Sequence, residues 1–392
     1  MSHAAPLVAG LDPRAVDAIA RALAARTPLG LVHDRLPADE RAALAARLAA
    51  ATVPADTAAV VFTSGSTGRP KGVVLAHAAA AAAVAASARH LGTRADDRWL
   101  LALPPAHVSG LGVILRSVAA GTPPLVAAGG DRASVAAALA GDEVTLASLV
   151  PTQLAALLDD PGWRPPPRLR AVLVGGAAAA PALVARARAR GVPVLTTYGM
   201  SETCGQVATC PPGATPPPGA VGRPLPGVTV VAGTRAAPAT IVVRTAAAFT
   251  GYLDEPRPDP DAVVTTDLGF VEDGWLFVVG RRDDVIITGG EKVHPAAVEA
   301  ALLAVPGVAA AGVVAIADPR WGQRVAAAVV PGPGFARVAL DAAVAALAPH
   351  ARPRVIALVD ALPRGPTGKL DREAVRALLG PRTATAVSAC GE

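Results

Sequence analysis

Apolar and polar positions along the chain follow two alternating rhythms. Residues 12–26 and 38–51 carry helical spacing, with Pro13 and Pro37 near their starts. Residues 58–63, AAVVFT, form a short apolar run with β-branched members, which suits a buried strand. An Ala-rich helix is expected from about His77 to His90. Residues 99–104, 122–128, 145–150, 170–176 and 192–199 then read as strands separated by helical segments. That rhythm predicts an α/β fold with mostly parallel strands. From Pro211 onward, Pro and Gly punctuate short β-like pieces (GVTVVAG, ATIVVRT, WLFVVGR), predicting a smaller β-rich part over about 211–280. After Asp283 the order is helix, strand, strand, helix, strand, as in a compact α+β unit.

Composition narrows this picture only a little. With 392 residues, 52% of them hydrophobic, the chain can build a large core and two or three domains. A net charge of +5 mildly favours anionic ligands. No dense Lys/Arg run interleaved with aromatics is present, which argues against a nucleic-acid partner. Arg186, Arg188 and Arg190 read as a solvated helix face. Cys204, Cys210 and Cys390 lack metal-ligand spacing or a disulfide framework, so free thiols in a reducing cytoplasm are expected. The N-terminus lacks the pattern of a signal peptide. The stretch 73–88 is too short to span a bilayer and reads as a buried or amphipathic helix.

The candidate chemistry begins at Thr63-Ser64-Gly65-Ser66-Thr67-Gly68-Arg69-Pro70-Lys71-Gly72. Small hydroxyl and glycine residues let backbone N–H groups approach phosphate oxygens, and Lys71 adds a mobile positive charge. It is not a Walker A loop, because Pro70 stands where that pattern needs glycine. Further along come Gly175-Gly176-Ala177, Tyr198-Gly199-Met200-Ser201-Glu202-Thr203, Thr265-Thr266-Asp267-Leu268-Gly269 and Gly280-Arg281-Arg282-Asp283-Asp284. Ile287-Thr288-Gly289-Gly290-Glu291-Lys292 and Pro366-Thr367-Gly368-Lys369 complete the series. Singly, most of these strings fit ordinary turns or solvated loops.

Together, and in this order, they resemble the motifs of the adenylate-forming superfamily of acyl- and aryl-CoA synthetases, peptide-synthetase adenylation domains and luciferases. The resemblance implies an acid–thiol ligase that uses ATP, Mg²⁺ and CoA. It implies a large N-terminal domain (1–280), a hinge (281–283) centred on Asp283, and a small mobile C-terminal lid (284–392). It assigns phosphate binding to Thr63, Ser64, Gly65, Ser66, Thr67, Gly68 and Lys71, with Thr63 and Glu202 at the metal. Gly176, Ala177, Tyr198 and Gly199 would border adenine, and Ser201 would contact the α-phosphate. Asp267 and Arg281 would hold the ribose side of the nucleotide. Gly289 and Gly290 would line the thiol tunnel, and Lys369 would bridge the reacting carboxylate and phosphate. His107, within Leu103-Pro104-Pro105-Ala106-His107, falls where the family places a gating residue.

The segment ahead of Thr63 is short for this superfamily, and Ala239-Thr240 replace a usual Gly-Glu pair. The short N-terminus and residues 103–117 most resemble compact actinobacterial 2-succinylbenzoate–CoA ligases of menaquinone biosynthesis. A dicarboxylate of that kind needs a cation for its second carboxylate, and Arg116 is the candidate, though a helix-surface arginine fits equally well at this point. A cytoplasmic location is expected; homodimers are common among such enzymes, but the sequence does not set the oligomeric state. Other readings stay open here: another aryl or short-chain acid, loading of a carrier protein, or a degenerate nucleotide-binding protein. Intact Lys71, Glu202, Asp267 and Lys369 argue against the last.

Overall fold

The computed structural model describes residues 2–63, 70–365 and 370–380. The first sheet takes β1 (Ala5–Ala9), β2 (Leu29–His33), β3 (Thr57–Thr63) and β4 (Lys71–Ala76). The strands β1, β2 and β3 are parallel, and β4 runs antiparallel to β3 with Lys71 opposite Thr63. Helices α1 (Pro13–Ala24) and α2 (Ala38–Ala50) make the two crossovers. Asp12 caps α1 by accepting from the Ala15 N–H, and Pro13 stands at its first turn.

The stretch 73–88 is not one helix. Val73 and Val74 belong to β4, and α3 (His77–Leu91) begins where the β-branched residues end and alanine takes over. The expected strand at 122–128 shrinks to Leu125–Val126, because Pro123 and Pro124 have no N–H to give a ladder.

The central sheet starts with five parallel strands: β5 (Trp99–Leu101), β6 (Leu125–Val126), β7 (Leu146–Leu149), β8 (Ala171–Val174) and β9 (Val194–Met200). Helices α4 (Val108–Ala120), α5 (Arg132–Leu139), α6 (Pro151–Leu158) and α7 (Pro181–Ala189) connect them. Every residue of β5, β7 and β8 is buried, as expected of parallel strands covered on both faces. Arg186 and Arg190 are not simply solvated. They donate to the Leu158 and Asp160 carbonyls at the end of α6.

The same sheet continues through antiparallel β10 (Gly205–Thr209), β11 (Ala220–Pro224), β12 (Val228–Val231), β13 (Ala239–Thr245), β15 (Val263–Glu272) and β16 (Trp275–Arg281), reaching 11 strands. The pair β14 (Gly251–Tyr252) leaves this sheet and returns to the first one, pairing with β4. A third sheet holds β17 (Ile286–Thr288), β18 (Glu291–Val293), β19 (Val308–Asp318), β20 (Gly322–Pro331) and β21 (Val355–Leu358). It packs with α8 (Pro295–Leu303), α9 (Arg337–Ala346) and α10 (Arg372–Leu379), and has its own apolar core around Val298, Leu302, Val313 and Leu340.

The two ends of the parallel strands differ. At their N-terminal ends, Asp97 is 2% exposed and accepts from Arg170 Nε (2.8 Å), Thr145 Oγ1 (2.8 Å) and the Arg94 N–H (2.6 Å). Gly176, Tyr198 and Glu202 lie at or just beyond the opposite, C-terminal ends of β8 and β9, the usual ligand side of such a sheet.

Candidate active site

Tyr198 and Gly199 close β9, and Gly176 follows β8 in a left-handed conformation (φ +77°) beside Val150. The Tyr198 hydroxyl donates to Asp267 Oδ2 at 2.7 Å. Asp267 in turn lies opposite Arg281 in the β15–β16 register. Burial raises the Tyr198 phenol, and the Asp267 carboxylate raises it further, so it remains a donor. Three residues far apart in sequence are thereby joined at one edge of the central sheet: an aromatic face, a carboxylate suited to a diol, and a cation.

Gly199 is required by close packing. A Cβ there would sit 2.0 Å from the Gly205 carbonyl oxygen on the paired strand. Gly199→Ala should therefore cost about 1–3 kcal/mol of stability and weaken ATP binding by displacing Tyr198. Chemical denaturation and ATP calorimetry check both, and unchanged values would show that β10 yields freely.

Ser201 is buried and Glu202 half-buried in the one-turn helix Ser201–Thr203. The Glu202 backbone carbonyl accepts from the Phe249 N–H at 2.9 Å, and its Oε1 accepts from the Tyr252 hydroxyl at 3.2 Å. Lys71 places Nζ 4.8 Å from the Tyr252 ring centroid. Burial and the Glu202 carboxylate hold the Tyr252 phenol well above its ordinary range. Tyr252 was not legible as a site residue, because GYLDEP carries no chemistry until β14 brings it beside β4. The structure thus brings Lys71 and Glu202 to one side chain. No cluster of three His, Cys, Asp or Glu able to hold a metal occurs among the described residues. A Mg²⁺ that takes most of its ligands from phosphates and water needs few from protein, and Glu202 fits that role.

Thr63 ends β3, and Arg47 of α2 donates to the Pro70 carbonyl at 2.6 Å, just ahead of Lys71 at the start of β4. Ser64, Gly65, Ser66, Thr67, Gly68 and Lys369 lie outside the described residues. Ala177 is exposed just beyond Gly176. His107 precedes α4, and its ring meets that of His33 edge-on at 5.0 Å. Burial lowers His33, with Asp34 opposing that shift, and its imidazole backs His107.

The Gly289–Gly290 turn joins β17 to β18 with both residues at positive φ (+57° and +87°), as a two-residue hairpin requires. Its neighbour is Trp321, which a Cβ on Gly289 would meet at 2.5 Å. It therefore packs within the third sheet. Asp283 is exposed in the one-turn helix Arg282–Asp284 between β16 and β17.

Arg116 is the other residue that only the fold makes interpretable. It lies deep beneath α4, where burial lowers its guanidinium to about 10, yet the side chain keeps accessible surface. Nε donates to Ser87 Oγ (2.9 Å), Nη2 to Gln206 Oε1 (2.7 Å), and the group stacks 5.0 Å from the Trp99 ring. No carboxylate among the described residues pairs with it. Gly112, one turn earlier, leaves it room. Burial holds the neighbouring Cys204 thiol up at about 12, so it stays protonated at neutral pH.

The chain matches the AMP-binding enzyme family over residues 9–253 and the AMP-binding enzyme C-terminal domain over residues 297–369. A probable 2-succinylbenzoate–CoA ligase of Mycobacterium tuberculosis is 40% identical over 359 residues, covering 87% of this chain and 89% of that one. The 2-succinylbenzoate–CoA ligase of Bacillus pumilus is 37% identical over 334 residues, covering 82% and 68%. The o-succinylbenzoate CoA synthetase of Bacillus subtilis, solved with its acyl-adenylate intermediate, has a TM-score of 0.82 to this fold at 28% identity, covering 96% and 88%. The same enzyme with ATP and magnesium gives 0.79 at 29% identity, covering 96% and 89%. The C-terminal-edge placement of Tyr198, Glu202 and Asp267 and these matches lead to one conclusion: the chain belongs to the AMP-binding enzyme family.

Proposed function

We propose that the chain is a 2-succinylbenzoate–CoA ligase, which joins one carboxylate of that diacid to CoA through an acyl-adenylate. The observation that carries the choice of acid is Arg116. A buried guanidinium with no carboxylate partner among the described residues is costly unless a ligand anion pairs with it. A diacid supplies one carboxylate for reaction and a second for this cation. The likeness to ligases of the same name supports the reading and, with it, a place in menaquinone biosynthesis.

In the first step a carboxylate oxygen of the acid attacks the α-phosphorus of ATP, and pyrophosphate leaves. Lys71 and Lys369 carry the cationic charge, Glu202 and Thr63 would hold Mg²⁺, and the loop 64–68 would donate to phosphate oxygens. Bound Mg²⁺ supplies neutralisation of phosphate charge. Tyr198 and Gly176 border adenine, and Asp267 accepts from the ribose hydroxyls. In the second step a thiol attacks the acyl carbonyl, loses its proton, and AMP leaves. Residues 281–283 serve as the hinge between 1–280 and 284–392, and Asp283 turns so that Lys369 withdraws and Gly289–Gly290 lines the thiol path. His107, backed by His33, gates the acyl carbon. No helix among the described residues is long and apolar enough to cross a membrane. Free Cys204 and Cys210 suit a cytoplasmic enzyme.

The test is pyrophosphate release with Mg-ATP across 2-succinylbenzoate, benzoate and short fatty acids, each with and without CoA. Turnover on 2-succinylbenzoate that needs CoA for repeated cycles is expected. A preference for another acid would overturn the choice of substrate.

A further inference from the structure

Lys71 and Glu202 belong to different sheets. Lys71 opens β4 of the first sheet, whereas Glu202 follows β9 of the central one. Something must set their spacing, and the segment around Tyr252 is built to do so. The Thr250 N–H donates to the Val74 carbonyl (2.9 Å) and the Leu253 N–H to the Gly72 carbonyl (2.7 Å), so this stretch is zipped onto β4. One residue earlier, the Phe249 N–H donates to the Glu202 carbonyl (2.9 Å). Asp254 then accepts from Arg47 Nε (2.9 Å), the arginine that also holds the Pro70 carbonyl. The Tyr252 ring is fixed edge-on to buried Phe249 at 5.0 Å and 62°. Its face meets the Lys71 ammonium and its hydroxyl meets Glu202 Oε1.

We propose that Tyr252 is a positioning residue that couples the phosphate-binding lysine to the metal-binding carboxylate. The hydroxyl donates to Glu202 Oε1 and fixes the orientation of the carboxylate that would hold Mg²⁺. The ring face holds the Lys71 ammonium on the same side. The inference rests on the roles proposed above for Lys71 and Glu202. A tyrosine that only packs the strand would predict otherwise, since phenylalanine keeps the ring, the Phe249 contact and the cation–π face while removing only the hydroxyl.

The experiment measures ATP affinity by calorimetry on the full chain, with and without Mg²⁺, for wild type, Tyr252→Phe, Tyr252→Leu and Glu202→Gln. It also measures thioester formation from synthetic acyl-adenylate and CoA, which requires neither pyrophosphate nor its metal. Tyr252→Phe is expected to bind metal-free ATP as wild type does but to lose about five- to tenfold of the affinity gained from Mg²⁺. Tyr252→Leu should also weaken metal-free binding, and both should keep the thioester step. Loss of the Mg²⁺ gain in Glu202→Gln with wild-type behaviour in Tyr252→Phe overturns the coupling and leaves the role of Glu202 standing. An undiminished gain in Glu202→Gln overturns both.

Discussion

Arg116→Met is expected to lower kcat/KM for pyrophosphate release with 2-succinylbenzoate by about 100- to 1000-fold, while leaving a monocarboxylate such as benzoate almost unaffected. Truncating one partner of a buried, hydrogen-bonded charge pair costs about 2–5 kcal/mol, much of it from leaving the other charge unpaired. Here the stranded charge would be the diacid's second carboxylate, facing Ser87, Trp99 and Gln206. The free protein should not suffer, because removal of a guanidinium with no carboxylate partner among the described residues relieves an uncompensated charge. Kinetics with the two acids, beside a thermal melt, separate the effects. An equal loss with both acids would show that Arg116 supports the fold of the pocket and not the second carboxylate.

The second large effect lies at the other end of the sheet. Asp97→Ala should destabilise the protein by about 3–5 kcal/mol, because it leaves the Arg170 guanidinium, only 20% exposed, without its carboxylate partner. Burial alone would raise the Asp97 carboxyl, but hydrogen bonds from Arg170, Arg94 and Thr145 reverse the shift and hold it below its ordinary range. A carboxylate depressed in the folded state contributes stability in full above its unfolded value of about 3.9 and loses it as pH falls through the folded value. Urea unfolding across pH 3–7 should therefore show a steeper acid loss in wild type than in Asp97→Asn. Parallel curves would place the acid sensitivity elsewhere.

The sequence was most legible where chemistry is contiguous. The run from Thr63 to Gly72 points to phosphate chemistry on its own, the string Tyr198 to Thr203 gains its meaning beside it, and the flanking apolar runs do form β3 and β9. Long helices were legible for the same local reason. What was not legible depends on contacts across the fold. Arg116 looks like any helix arginine until Ser87, Trp99 and Gln206, from three other elements, close around it. Tyr252 needs the return of β14 to the first sheet, and His33 needs β2, a strand too short and too near alanine-rich helices to stand out. The alanine run after Ala76 hid β4, since its strong helical preference spread over the valines before it.

The hairpin between Thr63 and Lys71 has a consequence for how the enzyme meets its anionic substrate. Loops that bind phosphate between a strand and a helix draw on the helix macrodipole, a fixed charge that needs no side chain. This loop joins two antiparallel strands, so no helix begins where it ends. Without a helix macrodipole, long-range attraction leans on discrete charges such as half-buried Lys71, whose field is screened beyond about 8 Å at physiological ionic strength. Capture of ATP should then weaken as salt rises, while the thioester step, which starts from an adenylate already enclosed, should respond much less. The two half-reactions would carry different ionic-strength signatures, and the difference traces back to the choice of a hairpin at residue 63.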